Sequence, residues 1–181
     1  MDRVRRQLGL TDGSISGQVG RQVTIAVLDS GIADHPDLRD SVLEFQDFTS
    51  HVRRKETGRQ RGHDEYGHGT HVCGILCGNG AASEGRYRGI CPGARLIVGK
   101  VLDHRGNGAA EEMMAGMEWV RKTQGEYGTK LLNISVGVES LRSKDKQKRL
   151  RDMMEELLES GILVVCAAGN KGPDQGTLSP L

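Results

Sequence analysis

The sequence predicts an α/β protein, a parallel β-sheet flanked by helices, and two observations carry that prediction. Four short apolar, β-rich runs are mostly continuous rather than alternating: VTIAVLD (23–29), ARLIVGKVL (94–102), KLLNISVG (130–137) and GILVVCAAGN (161–170). Continuous apolar runs of this length are how strands covered on both faces read. Helical patterns lie between them, and strand–helix alternation implies parallel strands joined by right-handed crossovers. A length of 181 residues suits one domain with a real core.

Each helix has its own signature. HGTHVCGILC (68–77) is broken by glycine but apolar enough for a buried helix. GAAEEMMAGMEWVRK (108–122) places Met113, Met117 and Val120 on one stripe, with acids early and bases late as the helix dipole prefers. SKDKQKRLRDMMEELLES (143–160) places Leu150, Met153, Met154, Leu157 and Leu158 on one face, and Gly161 ends it. Methionines at helical spacing are core filling. In sheets of this kind function gathers at the carboxyl ends of the strands. Those ends read DSG, DHRGNG, SVG and AAGN, all polar or flexible.

Composition excludes several classes. Lysine and arginine number 25 against 24 acidic residues, which gives no electrostatic case for a nucleic-acid partner. The charged run HVRRKETGRQRGHDEYG reads as a solvated surface loop. The four cysteines, Cys73, Cys77, Cys91 and Cys166, form no CxxC pair, and each sits among small or apolar residues as a buried hydrophobe would. MDRVRRQLGL lacks the apolar core of a signal peptide, and no apolar run reaches membrane-spanning length. The expectation is a cytoplasmic protein with no membrane partner.

Three residues are candidates for chemistry. Asp29 follows an apolar run at a strand end, either as a turn former or as a carboxylate that holds a histidine in the right tautomer. His68 lies among glycines that let another backbone come close, either as a core histidine or as a proton-transfer group. Asn170 is either a plain turn residue or an amide aimed at a developing oxyanion. Taken together, VTIAVLDSGIADHPDL, GHGTHVCGI and VVCAAGN closely resemble the aspartate, histidine and oxyanion-asparagine segments of the subtilisin family of serine proteases, in the family's order. The resemblance runs from about residue 20 to the end of the chain.

The resemblance implies a subtilisin-like fold and a serine endopeptidase acting on polypeptide in extended conformation. Asp29 would orient His68, the general base and then the general acid, and Asn170 would serve the oxyanion. His71 would be a structural neighbour. Ser135, Val136 and Gly137 look like the strand that pairs with substrate backbone, and Gly106, Asn107 and Gly108 look like the opposing edge, so that substrate adds as a strand between them. The nucleophile is missing. Subtilases carry it in a GTSMAxP-like segment well beyond the asparagine. The nearest string here, GTLSP (176–180), stands at the wrong place and reads as a loop.

Residues 1–181 then read as the N-terminal portion of a single catalytic domain, incomplete at the C-terminus and inactive unless completed by the missing C-terminal part. The alternative is a non-catalytic peptide-binding or complementing fragment. A metal-dependent hydrolase using the HxxH pair of His68 and His71 with Asp29 or Asp64 is a weaker rival, because the glutamate of HExxH is absent. Asp37, in HPDL, matches a position that often binds calcium in secreted subtilases, but one carboxylate does not supply the six or more oxygens that calcium needs. The following loop, GNGAASEGRYRG (78–89), is not the asparagine-rich calcium loop of those enzymes. Cys73 stands where the family usually has alanine, which leaves either a reagent-sensitive thiol or a passive buried one. The glycine-rich loop, free cysteines and missing signal resemble intracellular bacterial subtilases.

Overall fold

The apolar runs do become strands. The structure is a computed structural model and describes residues 2–10, 19–49, 62–137, 143–170 and 172–174. The elements are α1 (Asp2–Gln7), β1 (Thr24–Asp29), β2 (Val42–Asp47), α2 (His68–Cys77), β3 (Arg95–Lys100), α3 (Ala110–Tyr127), β4 (Thr129–Ile134), α4 (Lys144–Glu159) and β5 (Leu163–Cys166). Among the described residues the strands form one five-stranded sheet in the order β2-β3-β1-β4-β5, with every pairing parallel.

Side chains of β1 alternate between two cores. Ala26 and Leu28 join Met113, Met117 and Val120 of α3 and Leu150 and Leu157 of α4 on one face. Ile25 and Val27 join Cys73 and Cys77 of α2, with Phe45 of β2, on the other. A strand sandwiched this way has no polar face, which is why its sequence lacks alternation.

Three details differ from the sequence reading. β2 was not expected, because Glu44 and Gln46 interrupt its apolar character; it is an edge strand, mostly half-buried, with only Phe45 fully sunk. α3 runs on to Tyr127, since Gly125 is tolerated inside a helix, and the left-handed Gly128 stops it instead. On α4 only Leu150 and Leu157 are buried, while Leu158 points outward at 51% exposure. At 100° per residue Leu158 falls at the margin of the stripe formed by Leu150, Met153, Met154 and Leu157, and turns toward solvent.

Candidate active site

β1 carries Asp29 to the carboxyl end of the central strand, where the carboxylate is fully buried. A buried charge persists only when hydrogen-bonded. Here Oδ1 accepts from the Ser30 backbone N–H at 2.7 Å, and Oδ1 and Oδ2 lie 2.8 and 3.0 Å from His68 Nδ1. A carboxylate only accepts, so Nδ1 carries the proton and Nε2 keeps its lone pair. The His68 side chain is 41% exposed, and Nε2 has no hydrogen-bond partner among the described residues. A base with one nitrogen fixed and the other open can take a proton, and the carboxylate stabilises the cation that results.

The placing of His68 follows from how α2 begins. Its N-cap is Gly67, which has no side chain to satisfy the first-turn N–H groups. Asp64 does that work from outside the helix. It accepts from the N–H groups of Gly67 (2.7 Å) and Thr70 (2.9 Å), from Thr70 Oγ1 (2.6 Å) and from Ser30 Oγ (2.8 Å). Ser30 Oγ in turn accepts from Gly69 N–H at 2.9 Å. The start of the histidine helix is thereby joined to the residue that follows Asp29. Burial raises the Asp64 carboxyl, but the Thr70 hydroxyl, the Gly67 and Thr70 N–H groups and the Ser30 hydroxyl outweigh it and hold the group below its ordinary value. Asp64 is therefore a brace between two segments.

A second charge pair lies beneath. Lys100, which is opposite Asp29 in the β1–β3 register, is only 3% exposed. Its ammonium donates to the Ser30 carbonyl at 2.6 Å and pairs with Glu65 at 3.0 Å. His63 Nδ1 lies 2.8 Å from Glu65, and its Nε2 lies 3.4 Å from Asp47. Burial raises the Glu65 carboxyl, but the Lys100 ammonium and the His63 hydrogen bond bring it down to about 2. A depressed carboxylate contributes stability above its unfolded value and loses it as pH falls through the folded one. Glu65→Gln should therefore melt below the unaltered chain at pH 6–7, and the gap in Tm should close between about pH 4.5 and pH 2. Melting curves across that range check it; a gap independent of pH would show that the pair is not responsible.

The remaining candidates lie after the carboxyl ends of β3, β4 and β5. β3 and β4 flank β1, so the loops after them stand on either side of Asp29. After β3 the chain turns tightly. Asp103 N–H donates to the Asn107 carbonyl at 2.7 Å, and Asp103 Oδ1 accepts from the Arg105 and Asn107 N–H groups at 2.8 and 2.9 Å. Gly106 is left-handed and lies under the exposed Tyr66 ring, and a Cβ there would come within 2.6 Å of the ring. Gly108 and Asn107 are exposed. After β4, Ser135 Oγ accepts from Asn133 Nδ2 at 2.8 Å, Val136 packs against the α3–α4 core, and Gly137 is exposed. Asn170 is exposed in the turn after β5, at the same end of the sheet.

His71 is exposed one turn into α2. Among the described residues no group of three or more His, Cys, Asp and Glu side chains is placed to hold a metal ion. Cys73 is buried, and burial, then the Cys77 thiol and the Asp29 and Asp64 carboxylates, push its thiol well above the ordinary range. A thiol held neutral is a packing group. The GTLSP string lies outside the described residues. Sequence reasoning missed Ser30, Glu65 and Lys100 altogether and took Asp64 only as a metal-ligand candidate. The nearest signal was the short polar string DEYGHGT before the helix.

A buried carboxylate and an oriented imidazole at the carboxyl end of a parallel sheet make an arrangement in an α/β protein that can pass a proton. Residues 20–181 match the Subtilase family, Peptidase_S8, and the chain belongs to that family. Serine protease AprX of Bacillus subtilis (strain 168) is 36% identical over 164 residues, covering 88% of this chain and 36% of that protein. The Major intracellular serine protease of the same organism is 33% identical over 158 residues, covering 86% of this chain and 45% of that protein. The solved structure of S41 Psychrophilic Protease matches with a TM-score of 0.74 at 31% identity, covering 89% of this chain and 50% of that one. The chain thus spans half or less of the length of these relatives.

Proposed function

We propose that the polypeptide to which these residues belong is a serine endopeptidase, with the nucleophilic serine supplied from outside residues 1–181. The observation that carries the proposal is the Asp29–His68 pair, buried on one side and open on the other. The serine Oγ attacks the peptide carbonyl carbon while its proton passes to His68 Nε2. The imidazolium, held by Asp29, then gives that proton to the departing amine nitrogen. Water attacks the acyl ester in the second half, loses a proton to Nε2, and the serine Oγ recovers it. Asn170 donates its amide to the oxyanion in both halves. The substrate is an extended polypeptide lying between residues 106–108 and 135–137, read by strand addition.

One feature favours a complementing role for this portion taken by itself. On β5, Leu163 and Val165 are 57% and 49% exposed on the face away from α4, as expected of a strand that further chain would cover. We place the rest of the catalytic domain there. Four free thiols support a reducing, cytoplasmic setting, and among the described residues no helix is long and apolar enough to cross a membrane.

Labelling the natural polypeptide with a serine-directed phosphonate, followed by intact mass, tests the reading. One adduct per chain, lost in His68→Ala, together with cleavage of an unstructured polypeptide, is the expected result. Peptide binding with neither adduct nor cleavage would leave the non-catalytic reading in its place.

A further inference from the structure

The loop between α2 and β3 is where the resemblance to secreted subtilases suggests calcium, through Asp37. The donors of this chain do not fit that ion. Asp37 Oδ1 accepts from Ala82 N–H at 2.7 Å, and the Asp37 carbonyl accepts from Asn79 N–H at 3.0 Å. Asn79 Oδ1 accepts from Ala81 N–H at 2.8 Å. The Gly80 carbonyl accepts from Ser83 and Gly85 N–H at 3.0 and 2.8 Å, and the Gly78 carbonyl accepts from Gly89 N–H at 2.8 Å. Calcium needs six to eight oxygens turned toward it; these oxygens are turned toward N–H groups.

A positive charge already lies inside the loop. Arg88 Nε donates to the Asn79 carbonyl at 3.2 Å. The side chain then runs between two left-handed glycines. A Cβ on Gly80 would sit 3.0 Å from Arg88 Cγ, and one on Gly85 would sit 3.0 Å from Nη2 and 3.2 Å from Cζ. Both glycines are shaped around the arginine. A divalent cation entering here would meet a fixed guanidinium and find its oxygens engaged.

We propose that Arg88 is the built-in cation of this loop, holding residues 79–89 closed without calcium. Its effect reaches beyond the loop. Cys91 and Ile90 N–H groups donate to the Leu76 and Ile75 carbonyls at the end of α2, and Arg5 of α1 donates to the Gly89 carbonyl. The guanidinium thus steadies the far end of the helix that begins at His68.

Thermal melting of the full chain, with millimolar calcium chloride or with EDTA, tests this in four forms: unaltered, Arg88→Met, Arg88→Lys and Asp37→Asn. Arg88→Met should lower Tm by roughly 5 °C in both buffers, and Arg88→Lys, which keeps the charge but not the fork, should lose less. Any calcium response should be the same with Asp37→Asn as without it, because it would come from elsewhere. A calcium-dependent rise in Tm that Asp37→Asn abolishes would overturn the proposal. So would an Arg88→Met chain that melts with the unaltered one. If Arg88→Met fails to fold, the Arg88→Lys and Asp37→Asn melts decide by the same criteria.

Discussion

On the proposed mechanism, Asp29→Asn is expected to lower kcat of the complete polypeptide by about 10⁴-fold while leaving the fold intact. The substitution keeps the volume of a side chain that is fully buried, so packing is undisturbed. What changes is the partner offered to His68. Both carboxylate oxygens now lie within 3.0 Å of Nδ1 and hold its proton there. An amide presents an N–H₂ group in place of one oxygen. That group favours the tautomer with the Nδ1 lone pair facing it and the proton moved to Nε2. A protonated Nε2 cannot accept the serine proton, and the imidazolium would also lose its buried counter-charge. Nitrogen-15 spectra of His68 report the tautomer without any need for the serine: Nδ1–H in the unaltered chain, Nε2–H in the variant. A kcat within tenfold of the unaltered enzyme would remove Asp29 from the mechanism.

Gly69→Ala should also cost activity, by a smaller factor, although Gly69 has no chemistry of its own. A Cβ at this position would lie 2.2 Å from the Gly31 carbonyl oxygen, 3.0 Å from the Gly31 nitrogen and 3.2 Å from Asp29 Cβ. These are backbone atoms of the Asp29 turn and the root of its side chain, and none can swing away. The helix start and the strand end must separate, and the His68–Asp29 hydrogen bond lies across that seam. A displacement of about 1 Å costs on the order of 10²-fold in rate. Overpacking costs about 1–3 kcal/mol of stability. Gly74→Ala on the same helix is the control, since a Cβ there meets nothing within 4 Å and should be neutral or stabilising by about 0.5–1 kcal/mol. Equal losses in kcat/KM and Tm for the two variants would show that the seam does not decide the outcome.

These two predictions differ in how far the sequence foretells them. The sequence already shows the central strands, because burial on both faces leaves a run whose middle has no polar positions, as in Thr24–Asp29 and Arg95–Lys100. It determined the start and end of the histidine helix, and through motif order it singled out Asp29 and His68. It did not reveal β2, since an edge strand keeps one side open to water and tolerates Glu44 and Gln46. Packing in three dimensions is what makes Asp64 brace Ser30 to Thr70, pairs Glu65 with Lys100, and sets Arg88 in the loop that Asp37 closes. Local pattern records how buried a residue is and which backbone it prefers. It does not record which distant polar group will face it, because that follows from the packing of segments tens of residues apart.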